Sequence, residues 1–101
     1  MPYCADCGGL LKPDFVFFGE SVPQAVRSKV RHEAQHAEVF LVIGTSGEIN
    51  PAARIPYMAK KNGATIIEIN PDITKYTATI TDIVLPGIAT ERMRKLRQAI
   101  F

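Results

Sequence analysis

The spacing of apolar residues changes period several times along this chain, and each change marks an element. Val26, Val30, Ala34 and Ala37 recur at intervals of four, four and three, the spacing of one face of an α-helix. An amphipathic helix is therefore predicted from Ser21 or Pro23 to about Glu38, with the proline tolerated in its first turn. Val39-Phe40-Leu41-Val42-Ile43 follows as an unbroken apolar run closed by Gly44, which predicts a strand buried on both faces. Ala52 to Asn62 reads as a second helix capped by Gly63, with Pro56 marking a kink or a late start. Thr65 to Ile69 is the next strand, stopped by Asn70-Pro71-Asp72. Asp82 to Leu85 is a shorter one, stopped by Pro86-Gly87. Thr90 suits the N-cap of a last helix, with Glu91 favourable near its positive end and Met93, Leu96 and Ile100 as its apolar stripe. Residues 1–20 lack a helical period and read as loop with short strands. Phe15–Phe18 is the most strand-like piece, because aromatic and β-branched residues cluster there.

The order helix, strand, helix, strand, short strand, helix implies an α/β fold with right-handed crossovers and a parallel sheet. Three strands make that sheet narrow, and one of its edges is expected to lie against something outside this chain. Composition narrows the class. The 101 residues are 47% hydrophobic and 22% charged, which fits one small ordered domain or part of a larger one. No apolar run approaches the roughly 20 residues that span a bilayer, and no secretory signal opens the chain. The net charge of +2 argues against a dedicated nucleic-acid binder. Two cysteines are too few for a disulfide scaffold.

Three segments carry candidate chemistry. Gly44-Thr45-Ser46-Gly47 sits between a strand and a helix that opens at Pro51-Ala52-Ala53. Glycines there let a phosphate approach the backbone, hydroxyls donate, and the helix start adds positive potential. The spacing matches neither a dinucleotide fingerprint nor a P-loop, so an ordinary tight connection is the competing reading. Asn70-Pro71-Asp72 ends the following strand, where doubly wound folds read a ribose hydroxyl roughly 20 residues past the glycine loop. By itself that tripeptide is a turn. Cys4-Ala5-Asp6-Cys7, followed by Gly8-Gly9, has the form of one zinc knuckle, half of a zinc ribbon, and supplies two of the four ligands structural zinc needs.

Two further patterns carry weaker readings. His32-Glu33-Ala34-Gln35-His36 matches the H-E-x-x-H metalloprotease signature. On a helical wheel its histidines fall roughly 115–155° from the apolar face, on the solvent side, so two solvated histidines are expected. Arg92, Arg94, Lys95 and Arg97 read as a solvated face near a helix C-terminus.

The order of these motifs resembles one family. Cys4-x-x-Cys7 with Gly8-Gly9-Leu10-Leu11-Lys12-Pro13-Asp14-Phe15-Val16-Phe17-Phe18-Gly19-Glu20 is similar to the second zinc knuckle and substrate segment of sirtuins. Val42 to Ala53 resembles their central nucleotide loop, and Glu68-Ile69-Asn70 and Gly87-Ile88-Ala89 also match. The likeness spans essentially the whole chain and is to bacterial or archaeal members. It implies an NAD-dependent protein-lysine deacylase, in which the acyl oxygen attacks the nicotinamide ribose, nicotinamide leaves and the acyl group ends on ADP-ribose. It further implies that Gly44, Thr45 and Ser46 contact the NAD ribose and phosphates. Asn70, Pro71 and Asp72 would hold the adenosine ribose, and Ala89 would lie against adenine. Val16 and Phe18 would line an acyl-lysine tunnel, with the Val16 carbonyl accepting the lysine amide proton. Gly19, Glu20 and the stretch after Gly47 would flank the substrate peptide as strands. Cys4 and Cys7 would supply half of a structural zinc site.

The family's N-terminal features are not matched here: its first glycine-rich NAD loop, its Asn/Asp nicotinamide pocket, its histidine base and its first zinc knuckle. His32 and His36 follow the knuckle instead of preceding it, so neither inherits the base role. The resemblance therefore implies the C-terminal half of a sirtuin. Residues 1–20 would form a partial zinc-knuckle and substrate-binding segment. Residues 21–101 would form the C-terminal half of a Rossmann-like, three-layer NAD-binding domain. Alone, such a chain is expected to bind without catalysing, in the cytoplasm, with NAD and an acyl-lysine protein or peptide as partners. A second chain completing the sheet and the zinc site is a further expected partner, and neither membrane nor nucleic acid is expected. A stand-alone nucleotide-binding or interaction module and, more remotely, a metalloprotease remain as alternatives.

Overall fold

The computed structural model describes residues 2–101; Met1, the first residue of the segment read over 1–20, lies outside the described residues. The elements run α1 (Gln24–His36), β1 (Val39–Ile43), a 3₁₀ turn (Ala52–Arg54), α2 (Ile55–Lys61), β2 (Thr65–Asn70), β3 (Ile83–Pro86) and α3 (Ala89–Ile100). The strands form one parallel sheet in the order β1-β2-β3. Val39 pairs with Thr65 and Ile43 with Ile69, while Ile67 pairs with Ile83 and Asn70 with Pro86. This is the α/β fold with three parallel strands that the apolar runs predict.

One face of the sheet carries the core. Val42 of β1 and Ile66 of β2 pack with Ala34 of α1, Ala59 of α2, and Ala64 and Tyr76 from the connections. Alanines at the contacts let the helices lie close to the strands. Asp82, just before β3, ties these layers together. Its Oδ2 accepts the Ile66 backbone N–H at 2.8 Å, and its Oδ1 pairs with Lys60 of α2. Lys60, then the Ile66 amide, holds the Asp82 carboxyl below its ordinary value.

Three elements depart from expectation. β1 is not buried on both faces: Val42 is buried, but Val39, Leu41 and Ile43 on the opposite face are 55%, 40% and 40% exposed. The second helix has the late start that Pro56 implies: it begins as a 3₁₀ turn and becomes α-helical only at Ile55, because Pro56 has no N–H to donate and fits a helix start. Ile88, in extended conformation and with no side-chain cap, precedes α3, so Thr90 lies inside the first turn. Phe15–Phe18 is not a strand. The hydrogen bonds of this stretch are local, with Phe15 N–H donating to Pro13 O and Phe17 N–H to the Glu20 carboxylate.

Candidate functional site

Parallel strands point their C-terminal ends the same way, so the connections leaving them share one rim. Gly44–Gly47 leaves β1, Asn70-Pro71-Asp72 leaves β2, and Gly87-Ile88 leads from β3 into Ala89 of α3. Hydrogen bonds lock the three together. Gly44 N–H donates to Ile69 O at 3.0 Å, and Gly87 N–H donates to Asn70 O at 3.1 Å. The Asn70 side chain bridges outward, its Nδ2 donating to Thr45 O at 3.2 Å, while its Oδ1 accepts Asp72 N–H at 3.1 Å. Thr45 Oγ1 accepts Gly47 N–H at 3.3 Å. Thr45, Ser46, Pro71 and Asp72 are exposed, and Asn70 and Ala89 are half-buried. The seven residues expected to touch a dinucleotide thus stand along one rim, with hydroxyl and carboxylate groups open to solvent.

The glycine loop rests on a residue that periodicity does not reveal. Tyr76, 1% exposed, lies in the β2–β3 connection and donates its hydroxyl to Ala53 O at 3.0 Å. A Cβ built on Gly47 would meet the Tyr76 ring at 2.7 Å, and Gly47 has φ +76°. Only glycine fits that loop over that ring. Tyr76 is held in turn by a buried acid. Glu68 of β2, 1% exposed, accepts hydroxyl hydrogen bonds from Thr74, from Thr77 at 2.7 Å and from Thr81 at 2.8 Å. All three threonines lie in the connection that carries Tyr76. No hydrophobic period marks that segment, and its Thr-rich composition is the one signal that it folds around an acceptor.

Beside the rim, an apolar groove of about 360 Å³ runs between residues 15–20 and the stretch Ile49–Ala52. Val16, Phe18, Gly19 and Glu20 all line it. Phe18 is 90% exposed, an unusual cost for a phenylalanine in water. Glu20 is already engaged: Phe17 N–H donates to its carboxylate at 3.0 Å and Lys12 pairs with it at 3.2 Å. These contacts, the amide first, hold its carboxyl below the ordinary value. Gly19 and Glu20 form a turn, not a strand.

Cys4 and Cys7 face a tight knuckle. Gly8 N–H donates to Cys4 O at 2.9 Å, Cys4 N–H donates to Gly9 O at 2.8 Å, and Tyr3 bridges Leu10. Both thiols are free. The backbone amides of Cys7 and then Asp6 draw the Cys4 thiol below its ordinary 9.0, favouring the thiolate that metals bind. Two thiols fit half of a tetrahedral set, and among the described residues no group of three or more His, Cys, Asp or Glu side chains gathers to complete it. With Cys7 replaced by serine, the rate of Cys4 alkylation by iodoacetamide should still rise with pH through a midpoint below 9.0. A midpoint at or above that value would show that the two amides do not stabilise the thiolate.

His32 and His36 lie exposed on α1, their ring centroids 4.3 Å apart, with His36 Nδ1–H donating to His32 O at 2.7 Å. α1 ends just before β1 begins, which places them toward the end of the sheet opposite the rim. Arg92 is the residue the sequence reading placed wrongly. It lies in the first turn of α3, not near its C-terminus, and its guanidinium packs over Gly87.

Comparison with known proteins gives this rim a context. Residues 1–51 match the Sir2 family. The chain is 44% identical over 95 residues to the NAD-dependent protein deacylase of Aquifex aeolicus, covering 94% of this chain and 39% of that protein. It is 43% identical over 100 residues to that of Pyrococcus furiosus, covering 99% and 40%. Among solved structures, a Sir2 homolog–NAD complex superposes with TM-score 0.86 at 43% identity, covering 99% of this chain and 40% of that one. Sir2Tm bound to a propionylated peptide superposes with TM-score 0.85 at 28% identity, covering 97% and 41%. The chain therefore spans about two fifths of the length of the relatives it matches. With the match over its first 51 residues and the shared fold beyond them, this chain belongs to the Sir2 family.

Proposed function

We propose that this chain is the portion of an NAD-dependent protein-lysine deacylase that holds the dinucleotide and the acyl-lysine substrate, and that alone it binds without turning over. The carrying observation is the rim itself: three strand ends locked by Asn70, beside an apolar groove that exposes Phe18. Gly44, Thr45 and Ser46 would hold phosphate and ribose, Asn70-Pro71-Asp72 the adenosine ribose, and Ala89 the adenine. NAD, when bound, supplies the ribose carbon to which the acyl group is transferred as nicotinamide leaves. Val16, Phe18, Gly19 and Glu20 would receive the acyl-lysine segment and exclude water from it. Cys4 and Cys7 would hold one side of a zinc ion whose other ligands come from elsewhere. The free thiols suit a reducing cytoplasm.

Catalysis needs a general base at the rim, and His32 and His36 stand toward the other end of the sheet. The purified chain, checked for fold by circular dichroism, should bind ADP-ribose by calorimetry. With NAD and an acetyl-lysine peptide it should release nicotinamide only at background rate. A folded chain with no affinity for ADP-ribose would overturn the binding reading, and robust nicotinamide release would overturn the catalytic one.

A second reading, a binding module completed by another polypeptide, is favoured by surface area. The chain exposes 7822 Å², where a compact monomer of this size exposes about 5,700 Å². The excess is of the order of a stable interface. Part of it is the open face of β1, an edge strand with a free row of hydrogen-bonding groups. Sedimentation of the chain as a monomer at all concentrations would count against self-pairing as the cover.

A further inference from the structure

Lys12 is half exposed, where a lysine ordinarily keeps its rotamer freedom and its hydration. Its ammonium is instead fully engaged. Nζ donates to Phe15 O at 2.7 Å, more weakly to Pro13 O at 3.4 Å, and pairs with Glu20 Oε2 at 3.2 Å, which occupies all three of its donors. It also lies 5.0 Å from the ring centroid of Phe17, within reach of a cation–π contact. The same Glu20 oxygen accepts Phe17 N–H at 3.0 Å, Glu20 N–H donates to Phe17 O at 3.1 Å, and the Phe15 and Phe17 rings pack with centroids 4.2 Å apart. These contacts close the segment from Lys12 to Glu20 on itself. No helix or strand includes any of these residues, so no ladder of backbone hydrogen bonds sets their shape. Exposed ion pairs add little to global stability, so stability does not account for the clasp. Its location does. Phe15 to Glu20 form one wall of the apolar groove that faces Ile49–Ala52, and Lys12 holds that wall without itself lining the groove.

We propose that Lys12 is a positioning residue for acyl-lysine recognition: its ammonium holds Phe15–Glu20 as a preformed groove wall, so that substrate meets Val16 and Phe18 already in place. The proposal rests on the substrate-groove reading above and extends it to a residue that does not touch the substrate. The gain is preorganisation. A loop without strand or helix partners would otherwise lose its backbone freedom only when substrate binds, and affinity would fall by that entropy. With the clasp closed, the ordering is complete beforehand. A cation is required at position 12 because the carbonyl of Phe15, the carboxylate of Glu20 and the ring face of Phe17 all attract positive charge. Arginine can serve the same three groups, whereas methionine keeps the apolar stem and loses every one of these contacts.

The test compares the full chain with its Lys12→Met and Lys12→Arg variants, titrated with an end-blocked acetyl-lysine peptide flanked by glycine and alanine, and separately with ADP-ribose. Lys12→Met should weaken the peptide about three- to ten-fold, the range of an exposed ion pair together with a cation–π contact. Its ADP-ribose affinity and its thermal midpoint should stay at the wild-type values, and Lys12→Arg should restore peptide binding. Because the peptide is uncharged, raising salt from about 0.05 to 0.5 M should weaken wild-type binding toward that of Lys12→Met and leave Lys12→Met unchanged. Hydrogen exchange at the Phe17 amide should be faster in Lys12→Met than in wild type. Wild-type peptide affinity in Lys12→Met would overturn the inference while the groove reading stands. Equal weakness in the methionine and arginine variants would show that the charge at position 12 does not hold the wall. A parallel loss of ADP-ribose affinity and thermal midpoint would show that Lys12 acts on the whole fold instead. If the wild-type chain binds ADP-ribose but no peptide, even though the Phe17 amide loses protection in Lys12→Met, the groove reading is wrong and this inference falls with it.

Discussion

Replacing Glu68 with alanine is expected to lower the unfolding free energy by about 2–4 kcal/mol, with Glu68→Gln losing about half as much. The residue sits in the central strand between Val42 and Val84, 1% exposed, with both carboxylate oxygens occupied by threonine hydroxyls. Alanine removes the acceptor and leaves three half-buried hydroxyls without it, together with a cavity. Taking a charge out of the interior recovers part of that loss, so the net falls below the sum of three hydrogen bonds to a charged group. Glutamine keeps the volume and one acceptor oxygen, and a hydroxyl can rotate to accept from its amide. A domain of this size has only about 5–10 kcal/mol to lose, so the alanine variant should unfold at far lower urea. The loss should extend to the rim, because Thr74, Thr77 and Thr81 hold the connection that carries Tyr76 under the glycine loop. ADP-ribose affinity should therefore fall even at temperatures where Glu68→Ala remains folded. Urea unfolding that ranks alanine level with wild type would refute the role given to the threonine cage.

The parts of this arrangement differ in how plainly the sequence announces them, and the difference is physical. β1 is legible because five apolar residues in a row have no helical face to spare, and β2 because three isoleucines cluster in five residues; Gly44 and Asn70 mark their ends sharply. The glycine loop and Asn70-Pro71-Asp72 are legible because strand ends in a parallel sheet must converge. Phe15–Phe18 misleads because aromatic clustering is also what a groove needs, and strand propensity cannot supply the partner strand a strand requires. Thr90 misleads because capping residues are a preference, and here the helix starts two residues earlier, after Ile88, without any side-chain cap. Buried Glu68 and Tyr76 lie outside any periodic reading. Their burial depends on a twelve-residue connection folding back on the sheet, a long-range event with no local signature. Arg92 is hidden in a run of four basic residues, and only the start of α3 and the bare backbone of Gly87 separate it from the other three.

Gly47→Ala is the second large effect, and its size separates two costs that glycine substitutions usually confound. At φ +76° any L residue is strained by about 1–2 kcal/mol. The new methyl would also lie 2.7 Å from Cε2 and Cζ of Tyr76, and that ring cannot retreat, since its hydroxyl is bonded to Ala53 O and its edges are buried. Overpacking of this kind adds about 1–3 kcal/mol, for a total near 2–4 kcal/mol by urea unfolding. Gly44→Ala provides the control. Its φ is +64°, but nothing lies within 4 Å of the added carbon, so only the backbone cost of about 1–2 kcal/mol should appear. In a Tyr76→Leu background, Gly47→Ala should likewise fall to the backbone cost, leaving a coupling of about 1–3 kcal/mol between the two positions. Additive losses at 47 and 76 would mean that the loop does not rest on the ring. Coupled losses would mean that the nucleotide loop takes its shape from a side chain anchored on the next strand's connection, so that β1 alone cannot form the rim.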